Sequence, residues 1–201
     1  MIRDVISNNG YVISALISLS IIIIAKTIHK RRFSDLIRVF SNSNYFRIYL
    51  KEHRFLDSFD LLLFLNFCIN CTAYTYIIYC SIINLIEINI RIFSTIFLSI
   101  LLFLLVKLLT RLFVGYVFDI YGTISILIFQ QISTINFIGI TLLPVNLLLV
   151  FGLNYQIEWL IISVSFVIIT AVAGILKTIQ TNQNLVLSNF LYFILYICTL
   201  E

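Results

Sequence analysis

Apolar residues fall in long blocks along this chain, broken only by an occasional serine or threonine, as in Leu98 to Val106 and Trp159 to Ile169. A membrane β-barrel would instead show segments of about ten residues in which apolar and polar positions alternate. A helix crossing a hydrocarbon core about 30 Å thick needs about 20 mostly apolar residues. Six stretches approach or meet that measure: Gly10–Ala25, Phe59–Ile83, Ile92–Leu109, Ile132–Phe151, Ile157–Leu176 and Leu185–Leu200. The pattern predicts an all-α fold, a polytopic transmembrane helical bundle of about six spans with one or two interfacial amphipathic helices. Residues 1–201 read as a single integral membrane domain. The sixth stretch is still apolar at Leu200 and meets only Glu201, so a chain cut from a longer one is expected, in preference to a short span closed by a carboxylate.

Two segments do not simply span. In residues 27–57, Phe33, Leu36, Ile37 and Phe40 recur at helical spacing, with Arg31, Arg32, Asp35 and Arg38 set opposite. Ser41-Asn-Ser-Asn44 breaks the pattern, and Phe46, Tyr49, Leu50 and His53 resume it, as in an interfacial helix or helical hairpin. Thr110 to Gln131 is apolar enough to enter a membrane but carries Arg111, Asp119, Gln130 and Gln131. A full extra crossing there would move every later loop to the other side. The segment is therefore expected as a cytoplasm-side interfacial or re-entrant helix.

Composition supports the class. The chain is 61% apolar and only 11% charged, where a soluble domain carries about a quarter of its residues as Asp, Glu, Lys or Arg. Too little charge remains to cover a water-facing surface. The net charge of +4 is concentrated, since most of the Lys and Arg lie between Lys26 and Arg54. Basic residues in short loops favour the cytoplasm. Six spans put this loop, Lys107, Arg111 and Lys177 on one side, and Arg3 and Arg91 on the other. The expected location is the cell inner (plasma) membrane, with the N-terminus outside and the basic segment 26–58 cytoplasmic. The first apolar run is followed by cations and has no basic stretch before it, so it reads as a retained anchor and not as a cleaved signal. A basic amphipathic stretch lies in the headgroup plane, which makes anionic lipid headgroups the expected partners of residues 26–54.

Candidate chemistry is sparse. Cys68-Ile-Asn-Cys71 has the spacing of a redox centre or half a zinc site. No second pair completes four ligands, and no cation stands near the thiols in sequence, so packing is the expected role. Asn66 and Asn70, with Thr72 and Thr75 nearby, line one face of the second span. They read as hydrogen-bonding contacts between helices, or else as a polar lining for a substrate or ion. An ionisable side chain inside hydrocarbon costs about 2.5–3.5 kcal/mol on insertion scales, and is usually paired or functional. Asp57 and Asp60 open the second span, where Ser58 is a candidate cap, and Lys107 and Arg111 stand four apart at the end of the third. Asp119 is expected to pair with Arg111 or Arg54. The candidate binding residues are thus Arg54, Asp57, Asp60, Asn66, Asn70, Lys107, Arg111 and Asp119. His29 and His53 lie among cations and lack the i, i+4 spacing of a metalloprotease helix. The chain has no phosphate-binding glycine loop, nucleophile elbow or nucleotide fingerprint, and no catalytic set, cofactor, metal or nucleic-acid partner is expected. Gly139 and Pro144 mark an expected kink in the fourth span, with Thr141 near the freed backbone groups.

Four stretches together resemble a family of small bacterial inner-membrane proteins, domain of unknown function 4271. They are Tyr49-Leu-Lys-Glu-His-Arg-Phe55 through Leu65-Asn-Phe67, Lys107 to Asp119, Gly139-Ile-Thr-Leu-Leu-Pro144, and Phe193 to Glu201. The resemblance covers most of the chain. It implies a polytopic inner-membrane protein whose family continues past Glu201, and it carries over no activity and no functional residue. Three functions stay open. The first is a non-enzymatic subunit or scaffold of an envelope membrane complex, binding partner membrane proteins. The second is a small transporter or channel with a polar path near Asn66/Asn70 and Arg111/Asp119. The third is a membrane enzyme acting on lipid headgroups, with Asp57, Asp60 and His53 at the interface. Reporter fusions near Arg38 are expected to be active only with a cytoplasmic reporter; activity of a periplasmic reporter there would reverse the topology.

Overall fold

A computed structural model of the chain describes residues 9–37, 57–83, 89–117, 121–153 and 157–181. All the regular structure among them is helical. The elements are α1 (Asn9–Ile28), α2 (Lys30–Ile37), α3 (Ser58–Ile83), α4 (Ile90–Val117), α5 (Tyr121–Leu147) and α6 (Ile157–Thr181). A π turn, Leu148–Gly152, extends α5. Among the described residues, five helices are long and apolar enough to cross a membrane, over Gly10–Ile28, Ser58–Ile82, Ile90–Val117, Ile124–Gly152 and Glu158–Lys177. The chain is therefore a membrane protein with an all-α bundle. The stretch expected as a sixth span, Leu185–Leu200, lies outside the described residues.

The helices are not equivalent. The inner pair is α3 and α5, each with close to half of its spanning stretch buried, whereas the most apolar stretch of α4 buries no side chain. Sequence pattern alone does not separate these cases, because lipid tails and protein interior are equally apolar. The inner helices differ instead in polarity: Asn66, Asn70, Thr72, Gln130, Ser133, Asn136 and Asn146 on α3 and α5 are all buried. The outer faces carry large exposed apolar side chains, such as Leu98, Leu102, Leu109 and Phe113 on α4 and Ile161 and Ile169 on α6.

Small residues set how closely these helices approach. A Cβ at Gly139 of α5 would lie 2.8 Å from both the Cα and the Cβ of Phe67 on α3. Gly139 is thus a contact point between helix backbones, as small residues are in membrane bundles. At Gly174 of α6 a Cβ would clash with Thr134 of α5. Between α4 and α5, Gly115 faces Ile124 at ordinary contact distance. Next to it, Ile124, Ile128 and Ile132 pack against Leu108, Leu112 and Val114.

Two sequence expectations change. Residues 110–131 do not form a separate interfacial helix: residues 110–117 complete α4 and residues 121–131 begin α5. Of the polar residues that suggested an interface, Arg111 and Gln130 are buried between helices and Gln131 is partly buried, while Asp119 lies outside the described residues. The two spans are simply longer than their apolar cores, and the number of crossings is unchanged. In α2, Arg32 is buried with Phe33 and Leu36 while Ile37 is exposed, so Arg32 belongs to the inner face and not to the solvated one. The α5 helix runs on through Gly139 and Pro144. The departure from α geometry comes four residues after Pro144, where the Leu153 N–H reaches the Leu148 carbonyl at 3.0 Å.

Gly139→Ala is expected to destabilise the bundle by about 1–3 kcal/mol, because Phe67 offers backbone and not a flexible side-chain end. Gly122→Ala, which meets nothing within 4 Å, should leave thermal unfolding in detergent unchanged or slightly raised. Equal midpoints for the two variants would refute the close approach.

Candidate functional site

At the start of α3 the Asp57 carbonyl accepts the Leu61 N–H at 3.1 Å, which places Asp57 at the cap position. Its carboxylate and that of Asp60 turn to one guanidinium. Arg32 of α2 donates from Nη1 to Asp57 Oδ2 at 2.8 Å and from Nη2 to Asp60 Oδ2 at 2.6 Å. Asp60 is buried, whereas the Asp57 side chain keeps 28% of its surface. Phe59 and Phe129 lie against the same guanidinium, with ring centroids 5.1 and 5.9 Å from Cζ. Asn136 of α5 donates to Asp60 Oδ1 at 3.4 Å, a longer contact. At the rim, His29 Nε2 is 3.4 Å from Ser58 Oγ, and its ring meets Phe59 edge-on. Ser58 thus faces α1 while Asp57 takes the cap position.

Two turns further along α3 the polar groups are neutral. Ser18 of α1 donates to Asn66 Oδ1 at 2.5 Å and accepts from Asn70 Nδ2 at 2.7 Å. Asn70 Nδ2 also reaches the Asn66 carbonyl at 2.9 Å. From the other side, Asn146 of α5 donates to the Asn70 carbonyl at 2.9 Å. Further on, the Tyr74 hydroxyl and Ser163 Oγ of α6 are 2.9 Å apart. Ser163 donates its proton to the Leu160 carbonyl, so Tyr74 is the donor. α3 thus makes hydrogen bonds to α1, α5 and α6 along one length. Among the described residues, Asn66 Nδ2, Asn136 Oδ1 and Asn146 Oδ1 are buried with no hydrogen-bond partner.

A third group lies between α4 and α5. Lys107 and Arg111 line a cleft of about 30 Å³ with Gln131 of α5, and Phe64 of α3 contributes to its wall. Arg111 is buried and Lys107 is partly covered.

The sequence-derived candidates therefore separate into three groups: Asp57 with Asp60, Asn66 with Asn70, and Lys107 with Arg111. Arg54 and Asp119 lie outside the described residues, as do His53 and the expected Asp119 pairing. The sequence reading missed Arg32, which stood among four cations and looked solvated. Two signals were present: Arg32 precedes the apolar pair Phe33 and Leu36 at helical spacing, and two carboxylates opening a span require a cation. Ser18, Asn136 and Asn146 were also missed, since single polar residues in apolar runs carry no sequence sign of their partner. Cys68 is buried and Cys71 partly buried, and both are free thiols. No cluster of three His, Cys, Asp or Glu fit to hold a metal occurs among the described residues.

A family model described as a domain of unknown function (DUF4271) matches residues 11–201. No curated protein and no solved structure matches the chain.

Removing one partner from a buried ion pair leaves an uncompensated charge and costs about 3–5 kcal/mol. Arg32→Met is expected to lower stability by that order, read from unfolding in mixed micelles. Asp60→Asn should cost more than Asp57→Asn, because only Asp57 keeps contact with solvent. The reverse order would place the pairing at Asp57 alone.

Proposed function

The chain belongs to the DUF4271 family, a domain of unknown function, and we propose that it works as a non-enzymatic subunit or scaffold of an envelope complex in the inner membrane. The observation that carries this reading is where the interior polar groups go. Ser18, Asn66, Asn70, Asn146 and Tyr74 bond from helix to helix, and Arg32 joins α2 to α3. Interhelical hydrogen bonds in membranes contribute on average about 0.6 kcal/mol each. Several in series hold a rigid frame. Outside that frame, α4 offers an uninterrupted apolar stripe through Leu98, Leu102, Leu109 and Phe113, suited to packing against another membrane helix. The cationic segment 26–54 supplies anchorage at anionic headgroups.

The buried amide atoms without partners on Asn66, Asn136 and Asn146 favour a second reading, a small transporter or channel. Water or a small ion would use that hydrogen-bonding capacity.

Purification at native expression in mild detergent is expected to yield a partner membrane protein in fixed ratio. That partner should be lost when Leu102, Leu109 and Phe113 are all replaced by alanine, with thermal stability unchanged. A lone monodisperse chain would overturn the scaffold reading. Ion flux into proteoliposomes abolished by Asn66→Leu would favour the second.

A further inference from the structure

We propose that Asp60 is a proton-binding site, in which one proton is held between its carboxyl and the carboxamide of Asn136. The proton comes from water at the rim, and its arrival loosens the contact of Asp60 with Arg32. Charge is the first observation. Asp57 and Asp60 share the guanidinium of Arg32, and the charged or titratable groups that reach Asp60 are Arg32, Asp57 and His29. His29 Nε2 meets the Ser58 hydroxyl at 3.4 Å on the exposed rim, and not a carboxylate. α5, which meets Asp60 through Asn136, has no Asp, Glu, Lys, Arg or His in its length. Lys26 of α1 and Lys30 and Arg31 of α2 are exposed. Lys107 and Arg111 of α4 stand by Phe64, one turn further along α3. Two carboxylates against one guanidinium leave one negative charge in excess, at the start of a spanning helix where hydrocarbon does not solvate it. A proton removes that excess.

The second observation is the Asn136 carboxamide, which is fully buried and aimed at Asp60. Its Nδ2 donates to Asp60 Oδ1 across 3.4 Å, while its Oδ1 is buried with no hydrogen-bond partner. An ionised carboxylate only accepts, so it meets the N–H half of a carboxamide and leaves the oxygen half empty. A protonated carboxyl carries one donor and one acceptor side by side, which match both halves. The orphaned Oδ1 is thus the acceptor that a proton on Asp60 would use. Access runs through Asp57, whose side chain keeps 28% of its surface. Once Asp60 is neutral, Arg32 has its ion pair with Asp57 alone, and the hold of α2 on α3 weakens. A hard metal cation takes about six oxygen ligands or more; Asp60 Oδ1 and Asn136 Oδ1 are too few for one and enough for a proton. The site needs neither a partner protein nor ion flux, so it goes beyond both readings above.

The test uses the full chain purified in mild detergent with added lipid. Infrared difference spectra between alkaline and acidic buffer read a protonated carboxyl by its C=O stretch. The unaltered chain is expected to gain, reversibly on acidification, a band that Asp60→Asn lacks. Asn136→Leu should move that band to higher wavenumber, as a carboxyl that has lost a hydrogen bond does, and His29→Gln should leave it in place. Hydrogen exchange of the α2 amides, corrected for its intrinsic pH dependence, should quicken about tenfold over the same step, the effect of about one charge-assisted hydrogen bond. Asp60→Asn should exchange at the faster rate in both buffers. Absence of the band at every pH where the chain stays monodisperse would overturn the proposal, and so would its persistence in Asp60→Asn or its loss in His29→Gln. Exchange in α2 that ignores pH in the unaltered chain would overturn it as well. If Asn136→Leu is not monodisperse, Asn136→Ala is read in its place, and an unchanged wavenumber there puts the proton elsewhere. Displacement of the band by sodium at constant pH would make the ligand a metal cation and sink the proton site.

Discussion

A carboxylate in the first turn of a membrane helix needs a cation within reach, because hydrocarbon solvates neither charge. Asp60 is buried at the start of α3, and Arg32 of α2 meets it at 2.6 Å. That contact determines where α2 lies. It also folds the start of α2 back onto the bundle through Arg32, so that Phe33 and Leu36 reach the apolar cluster of Ala25, Phe59, Leu63 and Phe129. Phe59 and Phe129 pack on the guanidinium from α3 and α5. One charge pair thereby holds four helices, since α1 continues into α2 with only His29 between them.

From that end the bundle is built inward by a different means. Lipid tails provide no hydrophobic drive between apolar helices, so close packing and hydrogen bonds must do the work. Gly139 brings the α5 backbone against Phe67 of α3. That closeness lets Asn146 reach the Asn70 carbonyl and Asn136 approach Asp60. Ser18 fastens α1 to the same helix, and Tyr74 fastens α6. The inner pair is thus the polar pair, the reverse of a water-soluble bundle. The outermost helix, α4, is the most apolar of the five, and two of its cations, Lys107 and Arg111, stand where it packs against α5.

The division of polar groups bears on function. Charges and amides engaged with other helices suit a rigid frame; the amide atoms without partners on Asn66, Asn136 and Asn146 mark where the molecule retains hydrogen-bonding capacity. These amides sit on the two central helices, α3 and α5.

The class of protein was legible in sequence because it depends on local quantities. Runs of apolar residues longer than a bilayer is thick, and too few charges for a water-facing surface, specify spanning helices whatever their neighbours are. The carboxylates Asp57 and Asp60 and the amides Asn66 and Asn70 stood out for the same reason, as polar groups in apolar surroundings. Their partners did not. Arg32 looked solvated among its neighbouring cations, and the apolar-to-polar change at residues 110–131 looked like an interface, because a buried contact and a watery one have the same local composition. Which helices are central, which cation leaves the solvated run and which amides meet are set by contacts between residues 25 to 89 positions apart in the chain. Such contacts exist only after the helices have packed.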